Sequence, residues 1–219
     1  MFIKRWNSGM NKSAWMLGMG VLLCLMMVNV QSSAVSGMTI TDADMSDVSG
    51  QSGSLKAIES LESTLKELIK ESDANALNYE IKLATLTAWK VKYIFRTEDK
   101  DRYIAVALKS FNAVYQKIKT SDDQALLFEF FYYRGMAFID YPRFHETSRL
   151  ALADIQEAID LAEQMDKPGN EVAQLYLALA KRYHNDKNED KAKAMAQKVM
   201  DVTEDARMFI QAKKIINGT

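Results

Sequence analysis

The chain has very little of what punctuates β-structure. Two prolines and nine glycines occur in 219 residues, well under the roughly 5% and 7% of average usage, so tight turns and bulges have few places to form. That scarcity favours long helices. One cysteine, Cys24, cannot pair within a chain and gives no thiolate metal site. His145 and His184 are the only histidines, and there is no Gly-rich phosphate loop, no H-E-x-x-H and no G-x-S-x-G. No sign of charge dominates either: 28 Lys plus Arg stand against 29 Asp plus Glu, which removes the electrostatic reason to expect nucleic acid as a ligand.

What is present begins with a segment that has the form of a secretory signal peptide. Lys4, Arg5 and Lys12 precede an uncharged stretch from Trp15 to Val30, and Ser32-Ser33-Ala34 supplies small residues for cleavage. The uncharged run is 16 residues, shorter than the roughly 20 that cross a bilayer as a helix, so cleavage after Ala34 ranks ahead of a permanent anchor. Met10-Asn11-Lys12-Ser13 offers a second candidate start. Leu23 stands before Cys24, where a lipoprotein acceptor needs a small residue, which argues against lipidation. Loss of residues 1–34 leaves 25 basic and 29 acidic residues, a formal charge of −4, and no cysteine. The expected location is therefore the periplasm, ahead of the cell exterior or a membrane-anchored form, with association with the envelope as a further expectation. Stability in such an oxidising compartment must come from packing alone.

Residues 35–54, rich in Ser, Gly, Thr and Asp with isolated apolar side chains, read as a flexible linker. From Leu55 to Thr219 the spacing is helical. Leu55, Ile58, Leu61, Leu65, Leu68 and Ile69 recur at three and four, and Leu77, Ile81, Ala84, Ala88, Val91 and Phe95 repeat that step in a second helix over 73–96. Further helices are predicted over 101–119, from Ser121-Asp122-Asp123 to Tyr141-Pro142, and over 146–165, 171–183, 189–202 and 204–216. The fourth is apolar on nearly every side, so it belongs between neighbours. The last is expected to turn Ala206, Phe209, Ala212, Lys213 and Ile216 toward the rest and cap the array. The acidic pairs Asp122-Asp123 and Glu189-Asp190 fall at helix starts, where they favour the positive end of the helix dipole.

Two of these helical pairs repeat one another. With Gly135 set against Ala180, Phe131 and Tyr176 lie four residues before and Phe138 and Tyr183 three after, while Ala151, Ile155 and Ala158 correspond to Ala192, Ala196 and Val199. A small residue at the closest crossing lets two helix backbones approach, and large residues around it fill the grooves. Tyr176-x₂-Leu179-Ala180-x₂-Tyr183 with Ala192-x₃-Ala196-x₂-Val199, and Phe131-x₂-Arg134-Gly135-x₂-Phe138 with Ala151-x₃-Ile155-x₂-Ala158, resemble the tetratricopeptide repeat. Arg134 departs from that pattern. A degenerate earlier copy has Ala88 at the small position, followed by Val91 and by Ala107, Phe111 and Val114. The spacings, 45 and 47 residues, exceed the family's roughly 34, which longer helices or loops would absorb. The resemblance covers residues 74 to 203 and implies an all-α fold, a stack of antiparallel helical hairpins of about seven or eight helices forming an α-solenoid.

In that family the first helix of each hairpin lines a concave surface. Carried over through the small-residue positions, the resemblance implies a partner-binding groove of Lys82, Thr85, Trp89, Lys92 and Tyr93, then Glu129, Tyr132, Met136 and Asp140, then Gln174, Leu177, Lys181 and His184. Large apolar side chains among charges suit an interface, although Trp89, Tyr132 and Met136 equally fit between long helices as core. The expected function is an exported scaffold that binds a protein or peptide in this groove. The alternative is an accessory protein that holds a small solute in an aromatic-lined pocket; an enzyme of unfamiliar type is a third reading and a homo-oligomeric scaffold a fourth. No catalytic set, cofactor or metal site is expected, because acids, bases and nucleophiles are not concentrated anywhere.

Overall fold

The spacing at three and four becomes helix along most of the array. The computed structural model describes residues 40–41, 44–45, 54–141, 146–167 and 169–218; the expected signal peptide, Cys24, Pro142, His145 and Pro168 lie outside them. Among the described residues there is no strand, and eight helices follow one another: α1 Leu55–Glu71, α2 Ala76–Trp89, α3 Thr97–Ile118, α4 Gln124–Phe138, α5 Glu146–Gln164, α6 Asn170–Asn185, α7 Glu189–Val202 and α8 Ala206–Asn217. The fold is all-α.

Local chemistry sets the helix ends. Ser54 accepts a hydrogen bond from the Ala57 N–H at 3.1 Å, Asp123 from Leu126 at 3.0 Å and Asp205 from Arg207 at 2.7 Å, satisfying amides that the first turn leaves without a carbonyl. At the other end, α5 and α6 stop where Asp166 and Lys187 take positive φ, and the next amides reach back, Lys167 to the Ala162 carbonyl at 2.9 Å and Asn188 to that of Tyr183 at 2.8 Å. These are Schellman closures made without glycine.

Helices pack mainly on their chain neighbours. The most extensive pairs are α4 with α5 and α6 with α7; α2 lies on α1 and α3, and α8 lies on α7 and α6. Contacts also skip one helix, from α2 to α4 and from α4 to α6. The small positions of the repeat lie in this core: Ala88, Ala107, Gly135, Ala151, Ala158, Ala180, Ala192 and Ala196 are all buried. At Gly135 a side chain would need Ile155 to shift, since a Cβ there would stand 2.7 Å from Ile155 Cγ1 and 3.2 Å from the Ile155 amide nitrogen. Around the crossing, Phe111 meets both Phe130 and Phe138 edge-to-face with centroids 6.0 Å apart.

Two expectations need correction. The second helix does not reach Arg96: it gives way to a 3-10 turn, Lys90–Tyr93, then to extended backbone at Ile94, and Phe95 is 99% exposed instead of facing the core. Val91, Tyr93, Ile94 and Phe95 are β-branched or aromatic residues that lose side-chain freedom in a helix, so periodicity there outran propensity. On α8 the inward face is Met208, Ala212 and Ile215, not Ala206, Phe209, Ala212, Lys213 and Ile216. Both sets have helical spacing; packing on α6 and α7 selected the one with Met208 and left Phe209 and Ile210 outside. Met45, in the stretch expected to be linker, is only 1% exposed.

Candidate interaction surface on α2, α4 and α6

The thirteen candidate residues fall into three groups by burial. Thr85, Lys82, Trp89 and Leu177 are buried, Thr85 completely. The Thr85 hydroxyl donates to the Ile81 carbonyl at 2.9 Å, one turn back on its own helix. Tyr93, Glu129, Tyr132, Met136 and Gln174 are half-buried, and Lys92, Asp140, Lys181 and His184 are exposed.

Contacts join the three helices through these residues. Lys82 sends its ammonium over the ring of Tyr133, 5.8 Å from the centroid, bridging α2 and α4. Tyr132 donates its hydroxyl hydrogen to Gln174 Oε1, bridging α4 and α6. Lys92, which also stands 5.9 Å from the Trp89 ring centroid, reaches Asp140 Oδ2 at 4.0 Å. The Asp140 carboxylate acts in turn on Lys181: partial desolvation lowers the pKa of that ammonium, and Asp140 opposes the shift. Lys92, in the turn after α2, and Asp140, beyond the end of α4, therefore pair at the surface, and Lys181 on α6 feels the same carboxylate. His184 stands apart from these groups, with Nδ1 3.2 Å from Glu189 Oε1 across the α6–α7 turn.

What holds this surface in place was not among the candidates. Arg134, the residue out of pattern in the repeat, forms a bidentate pair with Asp154 of α5, Nε to Oδ2 at 2.7 Å and Nη2 to Oδ1 at 2.6 Å, in a buried site. Its guanidinium lies 4.5 Å from the Phe130 ring centroid. Burial raises the pKa of the Asp154 carboxyl, against the opposing pull of Arg134. Arg182 on α6 donates through Nη1 to the carbonyls of Ile139, at 3.0 Å, and Tyr141, at 2.6 Å, just beyond the end of α4, while Nε reaches Asp186 at 3.1 Å. Carbonyls that α4 leaves without an amide are thereby satisfied from a neighbouring helix. Lys90 and Glu62 tie α2 to α1 at 2.6 Å. The departure of Arg134 from the apolar pattern was the visible signal for the first of these pairs; nothing local marked Arg182.

No family model, curated protein or solved structure matches the chain. Among the described residues, no group of His, Cys, Asp and Glu is placed to hold a metal ion, and no helix is long and apolar enough to cross a membrane. The surface has cations, an anion and aromatic edges held by buried ion pairs. Those groups can recognise polar and charged segments by hydrogen bonds and complementary charge.

Proposed function

We propose that this chain is an exported, non-catalytic scaffold, a stack of tetratricopeptide-like hairpins that binds a protein or peptide partner across its first helices. The observation that carries this reading is the exposed patch at Asp140, which pairs with Lys92 from the turn after α2 and acts on Lys181 of α6, beside the Tyr132–Gln174 bridge. Residues far apart in sequence gain shared use there only through the stacking. The buried small residues of the repeat support the hairpin stack, and the basic start followed by an uncharged run supports export.

The test is capture of partners from envelope extract by the full chain and by a Lys92→Glu, Lys181→Glu variant. Both side chains are exposed, so circular dichroism should be unchanged. A partner enriched by the parent and lost from the variant supports the patch. Equal enrichment by both, or none by either, removes it.

A further inference from the structure

The Asp140 side chain is 79% exposed, and among the described residues its one ion pair is with Lys92, at 4.0 Å. A pair that open and that long does little to hold two side chains in place. The backbone on either side of Asp140 is what is fixed. Within α4 and its end, the Ile139 amide bonds the Gly135 carbonyl at 3.0 Å and the Tyr141 amide bonds that of Phe138 at 3.1 Å. From across the stack, Arg182 of α6 donates through Nη1 to the carbonyls of Ile139 and Tyr141, at 3.0 and 2.6 Å. Both bonds from this one nitrogen therefore go to the residues immediately before and after Asp140.

The clamp is itself held. The Arg182 and Asp186 side chains are buried together, and Nε reaches Asp186 Oδ2 at 3.1 Å, which orients the guanidinium with Nη1 toward the turn. A guanidinium keeps its charge and presents its donors in a rigid fork, whereas an ammonium is a point charge that cannot cover the same three acceptors at once. Ile139 is buried, and the Tyr141 ring is half-buried on Phe138 with centroids 5.6 Å apart. Asp140 is left as the side chain of this turn that faces out.

We infer that Arg182 is the positioning residue of the surface at Asp140: by holding the carbonyls on either side, it aims that carboxylate at Lys92 and Lys181. The inference deepens the reading of this surface as the partner-binding site and rests on it. Being buried, Arg182 acts on a partner only through Asp140.

The Lys181 amine reports where the Asp140 carboxylate stands, because burial lowers its pKa and Asp140 opposes that shift. Titration of this amine by NMR of the lysine side chains, on the full chain, needs no partner, so its failure is distinct from failure of the capture experiment. Asp140→Asn should lower the Lys181 pKa below the parent value. Arg182→Lys, which keeps the positive charge but not the fork, should lower it too. With both changes in one chain, the pKa should equal that of Asp140→Asn alone. An unchanged Lys181 in either single variant overturns the inference. So does a further fall in the double variant, since Arg182 would then act on Lys181 by a route other than Asp140. Should circular dichroism show Arg182→Lys unfolded, Asp186→Asn, which weakens the hold on Nε, is titrated alone and with Asp140→Asn, with a smaller fall expected and the same two results overturning the inference.

Discussion

Two hairpins of this molecule, α4 with α5 and α7 with α8, are packed by different chemistry. Between α4 and α5 a glycine meets Ile155, and the space beside it is filled by aromatic rings and by the buried Arg134–Asp154 pair. In α7 the buried residues are only Ala192, Ala196 and Val199, and α8 adds Met208, Ala212 and Ile215. Charges at that end, such as Arg207 and Asp205, stay toward solvent. Small residues lie in both places, but of these two hairpins the α4–α5 one also joins its helices by a buried ion pair. Such a pair is poor evidence of net stabilisation; its consequence is that either partner alone becomes a buried charge.

The comparison breaks most clearly at Asp154. Asp154→Ala strands the Arg134 guanidinium among Phe130, Phe131 and Tyr115 and should lower unfolding free energy by about 3–5 kcal/mol, read by urea denaturation. The joint change Arg134→Met, Asp154→Leu should recover most of that loss, since no charge is left behind. Gly135→Ala comes next, at about 1–3 kcal/mol, because Ile155 and its backbone must shift to admit a methyl group. At the terminal end Arg207→Ala should stay within about 0.5 kcal/mol, its ion pair being exposed.

Acid sharpens the contrast by sign. The Asp154 carboxyl is raised in the folded state, so the folded chain holds its proton more tightly than the unfolded one. Its contribution to stability therefore falls as pH rises from the ordinary carboxylate value, about 3.9, through the higher folded pKa, and is flat above it. Asp205 is lowered, first by its side-chain hydrogen bond with Arg207 and then by the amide of that residue. Its contribution is complete above the ordinary value and is lost as pH falls through the folded pKa. Urea midpoints against pH should lose the first slope in the Arg134→Met, Asp154→Leu chain and the second in Asp205→Ala. If both substitutions change the profile in the same direction, the assignment of opposite roles fails.

Much of the helix pattern was legible in sequence. The α7 limits, Glu189 and Val202, were read directly, because two acids at its start and an alanine step point to one register. Phe95 was misread because the same period continues past the place where the backbone leaves helix. The face of α8 was misread because two apolar sets share one spacing and only contact with α6 and α7 distinguishes them. In the candidate surface, Lys92, Asp140 and Lys181 lie open while Thr85, Trp89 and Leu177 are covered. A repeat alignment gives the side of a helix, but not what else lies against it.

The sequence by itself determined the helical class, the crossing at Gly135 and the near absence of histidine and cysteine, since each follows from local spacing and composition. Tertiary structure alone decided which charges are buried together, Arg134 with Asp154 and Lys90 with Glu62, that Arg182 completes the end of α4, and that Met45 is covered. Those pairings join residues 20 to 43 positions apart, a distance over which only the packed helices bring two side chains within hydrogen-bond reach.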